Sequence, residues 1–273
     1  MTDLKLIMVN LEEKIVIFVD VLGFSNLTLE NRLDIERIVD HEGPLDQFFI
    51  GIFDNDRKPN KLEQVFSNFH FILQSGLNLA KLTCKFTSIT FSDSAYIATK
   101  YLKDAVKIIT DLMCGFLRNK VPVRAGVALG SFETLRFKTD IKLDSGEHAS
   151  HFLGTGVVKA FQAESCGIKG MRVLIHPSIE PFLNKEFNTD IIVQDCESHE
   201  IDHTIGVSKE LNYWAYNISD EKKAWRNFHE MWKSSPQKAL IHYEATANSI
   251  QNMRIARGYP PIKNLKKVTI SRK

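Results

Sequence analysis

Two aspartates carry the chemistry open to this sequence. Asp20 closes KIVIFVDV, a β-branched and aromatic run that predicts a strand over Lys14 to Val21. Asp93 sits in Ser92-Asp93-Ser94, between two strand-like halves of LTCKFTSITFSDSAYIAT, the pattern of a hairpin. Taken singly, each residue has a plain reading. Asp20 is a turn or cap residue at a strand end, Asp93 is a hairpin-turn residue, and Gly23 is a turn glycine. Together they read differently if the fold brings the hairpin turn to the end of the first strand. Two carboxylates would then share one sheet edge and repel. A hard divalent cation, Mg²⁺ or Mn²⁺, relieves that repulsion through oxygen ligands. The intervening VDVLGFSN adds a phosphate-binding possibility. Gly23 permits a tight turn close to a ligand, and the amides of Gly23 to Ser25 open a helix whose start would attract phosphate.

The surrounding elements decide whether those residues meet. Helical periodicity runs over Lys61 to Leu79 and Tyr101 to Asn119. VPVRAGVALGSF predicts a strand, residues 133 to 151 a polar loop or ribbon, and Gly154 to Ser165 a helix. Arg172 to His176 reads as a short strand, with Pro177 starting a short helix. The order β-α-β-β-α-β predicts an α+β, ferredoxin-like core. In that topology the hairpin joining the second and third strands turns at the C-terminal end of the first strand, beside Asp20. Residues 29 to 60 hold a charged helical stretch and a Gly/Pro/Asp-containing loop. Glu221 to Lys233 and Gln237 to Gly258 read as helices, giving a catalytic domain over 1–220 and a helical extension over 221–273 with a basic tail, Lys263 to Lys273, expected to be solvated and disordered. Tyr213, Trp214, Tyr216, Trp225 and Trp232 are expected to pack within this region.

Composition narrows the partners. With 44% hydrophobic and 25% charged residues, the chain can bury an ordinary globular core. A net charge of +2 argues for neither a nucleic-acid nor a membrane partner. No apolar run approaches the roughly 20 residues of a membrane-spanning helix, and the N-terminus lacks a secretory pattern, so a cytoplasmic location is expected. Cys84, Cys114, Cys166 and Cys196 show no C-x-x-C pair and read as reduced thiols. His148 and His151 lack a third ligand at metal spacing and read as loop residues.

IVIFVDVLGFSNLT, SITFSDSAYIAT, VPVRAGVALGSF and FLGTGVVKAFQAES resemble, in that order, the catalytic segments of class III nucleotidyl cyclases. The resemblance implies a cyclase fold with Asp20, Asp93 and the Val21 carbonyl as ligands of two metal ions. It implies Leu22, Gly23, Phe24 and Ser25 as triphosphate-binding backbone, and an attack of the ribose 3′ hydroxyl on the α-phosphorus with pyrophosphate leaving.

The sequence also departs from that family. Ile89 stands where a purine-reading Lys or Glu is usual, and Thr155 where Asp or a small polar residue is usual. Val158 and Gln162 stand at the positions of the transition-state Asn and Arg. The short chain and diverged helix are most similar to the pyrimidine cyclases of bacterial Pycsar antiphage systems. That resemblance implies a Mn²⁺-dependent homodimer with active sites at the subunit interface, making cyclic UMP from UTP, or cyclic CMP from CTP, as an alarm signal. Arg124 is an odd charge on a core strand. It is either a packed stem with a paired head or the cation that replaces the missing arginine, a role for which Lys159, Lys169 and Arg172 are the other candidates. A catalytically dead nucleotide sensor is the alternative of a different class.

Overall fold

In chain order the elements are β1 (Glu13–Val21), α1 (Phe24–Glu30), α2 (Lys61–Ala80), β2 (Phe86–Thr90), β3 (Ser94–Thr99), α3 (Leu102–Arg118), β4 (Val123–Ser131), β5 (Glu133–Leu135), β6 (His151–Leu153) and α4 (Thr155–Ser165). They continue with β7 (Val173–Ile175), α5 (Glu180–Glu186), β8 (Val193–Asp195), β9 (Lys209–Leu211), α6 (Glu221–Lys233) and α7 (Leu240–Ile255). The structure, a computed structural model, describes residues 13–31, 60–135, 151–186, 193–196, 205–215 and 221–261. The readings made for 32–59, His148, Tyr216 and the basic tail lie outside those residues.

β1 is buried on both faces, with Ile15 through Val19 each no more than 6% exposed. It pairs antiparallel with β3 on one side and β4 on the other, and β2 pairs outside β3. The resulting order β2-β3-β1-β4 is the ferredoxin-like arrangement expected of βαββαβ. The sheet continues further than the sequence predicted. β7 joins β4 in parallel, and β9 and β8 extend it to seven strands.

The two faces are covered differently. Ile15, Ile17, Val19 and Val21 face a large cluster with α2 and α3, including Phe69, Leu73, Ile109, Met113 and Phe116. α2 starts with a capping box in which Asn60 and Glu63 bond each other's backbone amides at 2.9 and 2.7 Å. Val16 and Phe18 face a smaller cluster with Tyr96, Ala128, Phe132 and Ala160. There α4 lies directly on β4. A Cβ on Gly126 would stand 2.0 Å from the Ala160 carbonyl oxygen, so only glycine allows that approach.

The C-terminal helices share the main core. Ala224, Phe228, Met231, Trp232, Tyr243, Ala247 and Ile250 belong to the same cluster as β1, α2 and α3, so the expected division at residue 220 runs through one hydrophobic body. A buried ion pair ties α7 to the added strands. Arg172 contacts Glu210 at 2.7 and 2.9 Å, and the Ser249 hydroxyl donates to the same carboxylate at 2.9 Å. Cys84, Cys114, Cys166 and Cys196 are buried and form no disulfide with one another. Among the described residues no helix is long and apolar enough to cross a membrane.

Glu210→Ala leaves Arg172 buried without its carboxylate and should cost about 3–5 kcal/mol. The urea unfolding midpoint of the full chain measures it.

Candidate functional site

The register places Asp20 opposite Ser94 of β3 and Arg124 of β4. One residue on, the Val21 N–H donates to the Asp93 carbonyl at 2.9 Å. The hairpin turn is therefore hydrogen-bonded to the end of β1, and Asp20 and Asp93 share one corner. Within the turn, Phe91 N–H donates to the Ser94 carbonyl at 2.7 Å, and the Ser92 hydroxyl donates to the Asp93 carboxylate at 3.2 Å. α2 holds the turn from outside. His70 Nε2 donates to the Ser92 carbonyl at 3.0 Å, with its ring packed against Phe66 and Phe69 at centroid distances of 4.5 and 5.2 Å.

Asp20 continues the row of Val16 and Phe18, so its side chain lies on the α4 face. Its carboxyl is pushed from 3.8 up to about 7, chiefly by burial, then by the charges of Glu164 and Asp93, with Arg124 opposing. Tyr96 is pushed up to about 12 by burial and then by Glu164 and Asp20.

Glu164 is the residue that sequence reasoning missed. It sits on α4 at 4% exposure, on the face carrying Gly156, Ala160 and Ala163. A charge on that otherwise small-residue helical face was the available signal. Glu164 engages Arg124, whose Nε lies 2.7 Å from the Glu164 Oε1 and whose second terminal nitrogen lies 2.6 Å from it. Arg124 also donates to the Ile168 carbonyl at 2.8 Å. Of the two readings of Arg124, the structure shows the paired head, with the guanidinium still close enough to favour ionised Asp20.

The other expected residues fall in different places. Leu22 donates to the Pro122 carbonyl at 2.8 Å, and Gly23 takes a left-handed φ of 74° that permits the turn. Phe24 and Leu22 pack against the core while Ser25 is exposed. α1 has only seven residues, so its dipole adds little to phosphate binding.

Ile89 packs beside Tyr96 and Phe18 on the Asp20 face and offers only apolar surface. Thr155 bonds Ser131 at the opposite end of β4, with both bonds 3.0 Å. Lys159 donates to the Leu129 carbonyl at 3.3 Å. From Arg124 to Leu129 the strand advances roughly 16 Å, so Lys159 and Thr155 do not meet Asp20 within this chain. Lys169 is exposed, and Arg172 is committed to Glu210. Val158, Phe161 and Gln162 form the exposed outer face of α4.

Two carboxylates at one corner, one of them destabilised as an anion, are a donor set that a hard divalent ion fits. Among the described residues no group of three or more His, Cys, Asp or Glu side chains is arranged to hold a metal. An ion here would complete its shell with backbone, water or substrate oxygens. A cavity of about 460 Å³ opens at the same strand end, lined by Asp20, Leu22 and Gly23 together with Ser234, Lys238 and His242 of the C-terminal region.

No family model and no curated protein matches this chain. Solved structures do resemble it. The guanylate cyclase domain of RhGC from Catenaria anguillulae, in complex with GTP, aligns at TM-score 0.48 and 12% identity over 74% of this chain and 96% of its own. The adenylyl cyclase CyaB from P. aeruginosa aligns at 0.46 and 14%, covering 73% and 92%. A bacterial light-regulated adenylyl cyclase aligns at 0.46 and 12%, covering 80% and 97%.

Two outcomes follow from this geometry. Folded Asp20 holds its proton more tightly than an unfolded carboxyl, so the folded state binds more protons between pH 3.8 and about 7. In chelator, the Asp20 contribution to wild-type stability should fall as pH rises through that window, and the advantage of Asp20→Asn over wild type should grow from pH 4 to 7 and then level off. Thermal melts across pH measure both. His70→Ala removes the donor from the Ser92 carbonyl and should cost about 1 kcal/mol, with faster amide hydrogen exchange at Ser94 and Val21.

Proposed function

We propose that this chain is a nucleotidyl cyclase of the class III kind, converting a nucleoside triphosphate to a 3′,5′-cyclic monophosphate and pyrophosphate. One observation carries the reading: the Val21–Asp93 backbone bond and the Asp20–Ser94 register bring two carboxylates to one corner beside the Gly23 turn. Asp20 and Asp93, with the Val21 carbonyl, would hold two divalent ions, Mn²⁺ or Mg²⁺. When bound, such ions make the ribose 3′ hydroxyl more acidic and neutralise charge on the phosphates.

The chain's own residues set the conditions for that step. Asp20 must lose its proton before it can act as a ligand, so ion binding is coupled to proton release and strengthens as pH rises through about 7. His70 and the turn hydrogen bonds hold Asp93 in register with Asp20. Arg124 pairs with Glu164 and offsets in part the negative charge that Glu164 places beside Asp20.

UTP is the favoured substrate and cyclic UMP the product, with CTP and cyclic CMP as the alternative. The apolar surface of Ile89, at the position that reads purines in class III cyclases, supports a pyrimidine base. Lys159 and Thr155 lie at the far end of β4, and Thr155, Val158 and Gln162 are exposed, an arrangement that suits a homodimer in which α4 faces the active site of a second copy. By the Pycsar resemblance the cyclic nucleotide would serve as a cytoplasmic alarm signal in antiphage defence. The committed Arg124 favours one other reading, a cyclase-like nucleotide sensor without turnover.

Purified protein with Mn²⁺ and each of the four ribonucleoside triphosphates should release a cyclic monophosphate, most rapidly from UTP. Asp93→Ala should retain its circular dichroism and lose at least about a hundredfold in rate, as removal of a metal ligand at a charge-developing centre does. A folded wild-type protein that makes no product from any of the four is the sensor.

A further inference from the structure

The cavity at the end of β1 joins two parts of the chain far apart in sequence. One wall is α1 and the other is the segment linking α6 to α7. Its floor is apolar, formed by Leu22, Met171 and Tyr243, and its rim carries Lys61, Lys120 and Lys238 against Glu30. About 460 Å³ falls within the range of small-molecule sites. Lys238 spans the mouth. Its ammonium donates to Asn26 Oδ1 at 3.0 Å and lies 3.6 Å from the Glu30 carboxylate, both on α1. The side chains of this ion pair are 60% and 57% exposed, so the pair contributes little and exchanges readily for a more highly charged anion.

We propose that this cavity receives the polyphosphate chain of the substrate, with Lys238 as the cation that contacts it from within the same chain. The proposal rests on the cyclase reading above. Lys238 offers three donors and a point charge at the end of a flexible stem. It stands beside the loop of Leu22 and Gly23 that leads from Asp20, and Asp20 and Arg124 line the same cavity. Gln162 is uncharged, and Arg124, which also lines the cavity, is engaged by buried Glu164 and the Ile168 carbonyl, whereas the partners of Lys238 are exposed. The shared core explains how so distant a residue is placed. Tyr243 and Met231 anchor the flanks of the 234–239 segment in the main cluster, and the α7 contacts to Glu210 fix the helix that follows.

The test uses the full chain and inorganic tripolyphosphate as the probe, titrated calorimetrically in chelator. Wild type should bind it, and Lys238→Ala should bind about tenfold more weakly, the loss of one charge-assisted contact. Lys233→Ala, an exposed charge on α6 outside the cavity lining, should bind as wild type does. Absent binding by wild type, unchanged binding by Lys238→Ala, or an equal loss in Lys233→Ala overturns the proposal. With Mn²⁺ and the nucleotide that is turned over, Lys238→Ala should raise KM about tenfold. Lys238-dependent tripolyphosphate binding without any cyclic product would leave the cavity assigned and remove the cyclase reading. Cyclic product with binding indifferent to Lys238 would do the reverse.

Discussion

Asp20 is held where burial and two neighbouring carboxyls all disfavour its charge, with one guanidinium in opposition. That crowding links most of the molecule. β1 must be buried on both faces for Asp20 to lose its solvent, and β4 must carry Arg124 directly opposite. α4 must lie close enough on Gly126 for Glu164 to reach the guanidinium. The hairpin must turn at the end of β1 for Asp93 to add its charge. A protein selected for stability alone would replace such a corner with apolar residues. A cation or a charged ligand would complete the arrangement and relieve that crowding.

The pair formed by Arg124 and Glu164 is best understood as support for that corner. A buried guanidinium without a partner, or a buried carboxylate without one, would each be costly. Paired at 2.6 and 2.7 Å, they satisfy each other, and Arg124 offsets only in part the push that Glu164 exerts against the ionised form of Asp20. On the proposed cyclase reading, the further charge that a transferring phosphate requires would come from the α4 face of a second copy or from the C-terminal helices that share this chain's core.

The strands and helices nearest the corner were legible because their patterns are strong. KIVIFVDV alternates nothing and is apolar on both faces, as a central strand must be. The 3.6-residue periodicity of α2 and α3 marks one buried stripe each. The strand pairs carrying Asp20 and Asp93 follow from topology once the order βαββαβ is accepted. The added strands β8 and β9 were not legible, since three residues carry too little periodicity to stand out. The sharing of the core by α6 and α7 was equally hidden, because amphipathic helices state that they bury a face and not against what.

What the amino-acid sequence determined by itself is the identity of the two carboxylates, the turn glycine between them and the order of the core elements. These are local properties, set by residue type and short-range periodicity. Only the tertiary structure decided that Glu164 would take up Arg124, that Thr155 and Lys159 would lie at the far end of β4, and that Lys238 would reach α1. Those contacts depend on how separate elements dock, and docking is governed by the shape of the whole core and by close approaches such as that of α4 at Gly126.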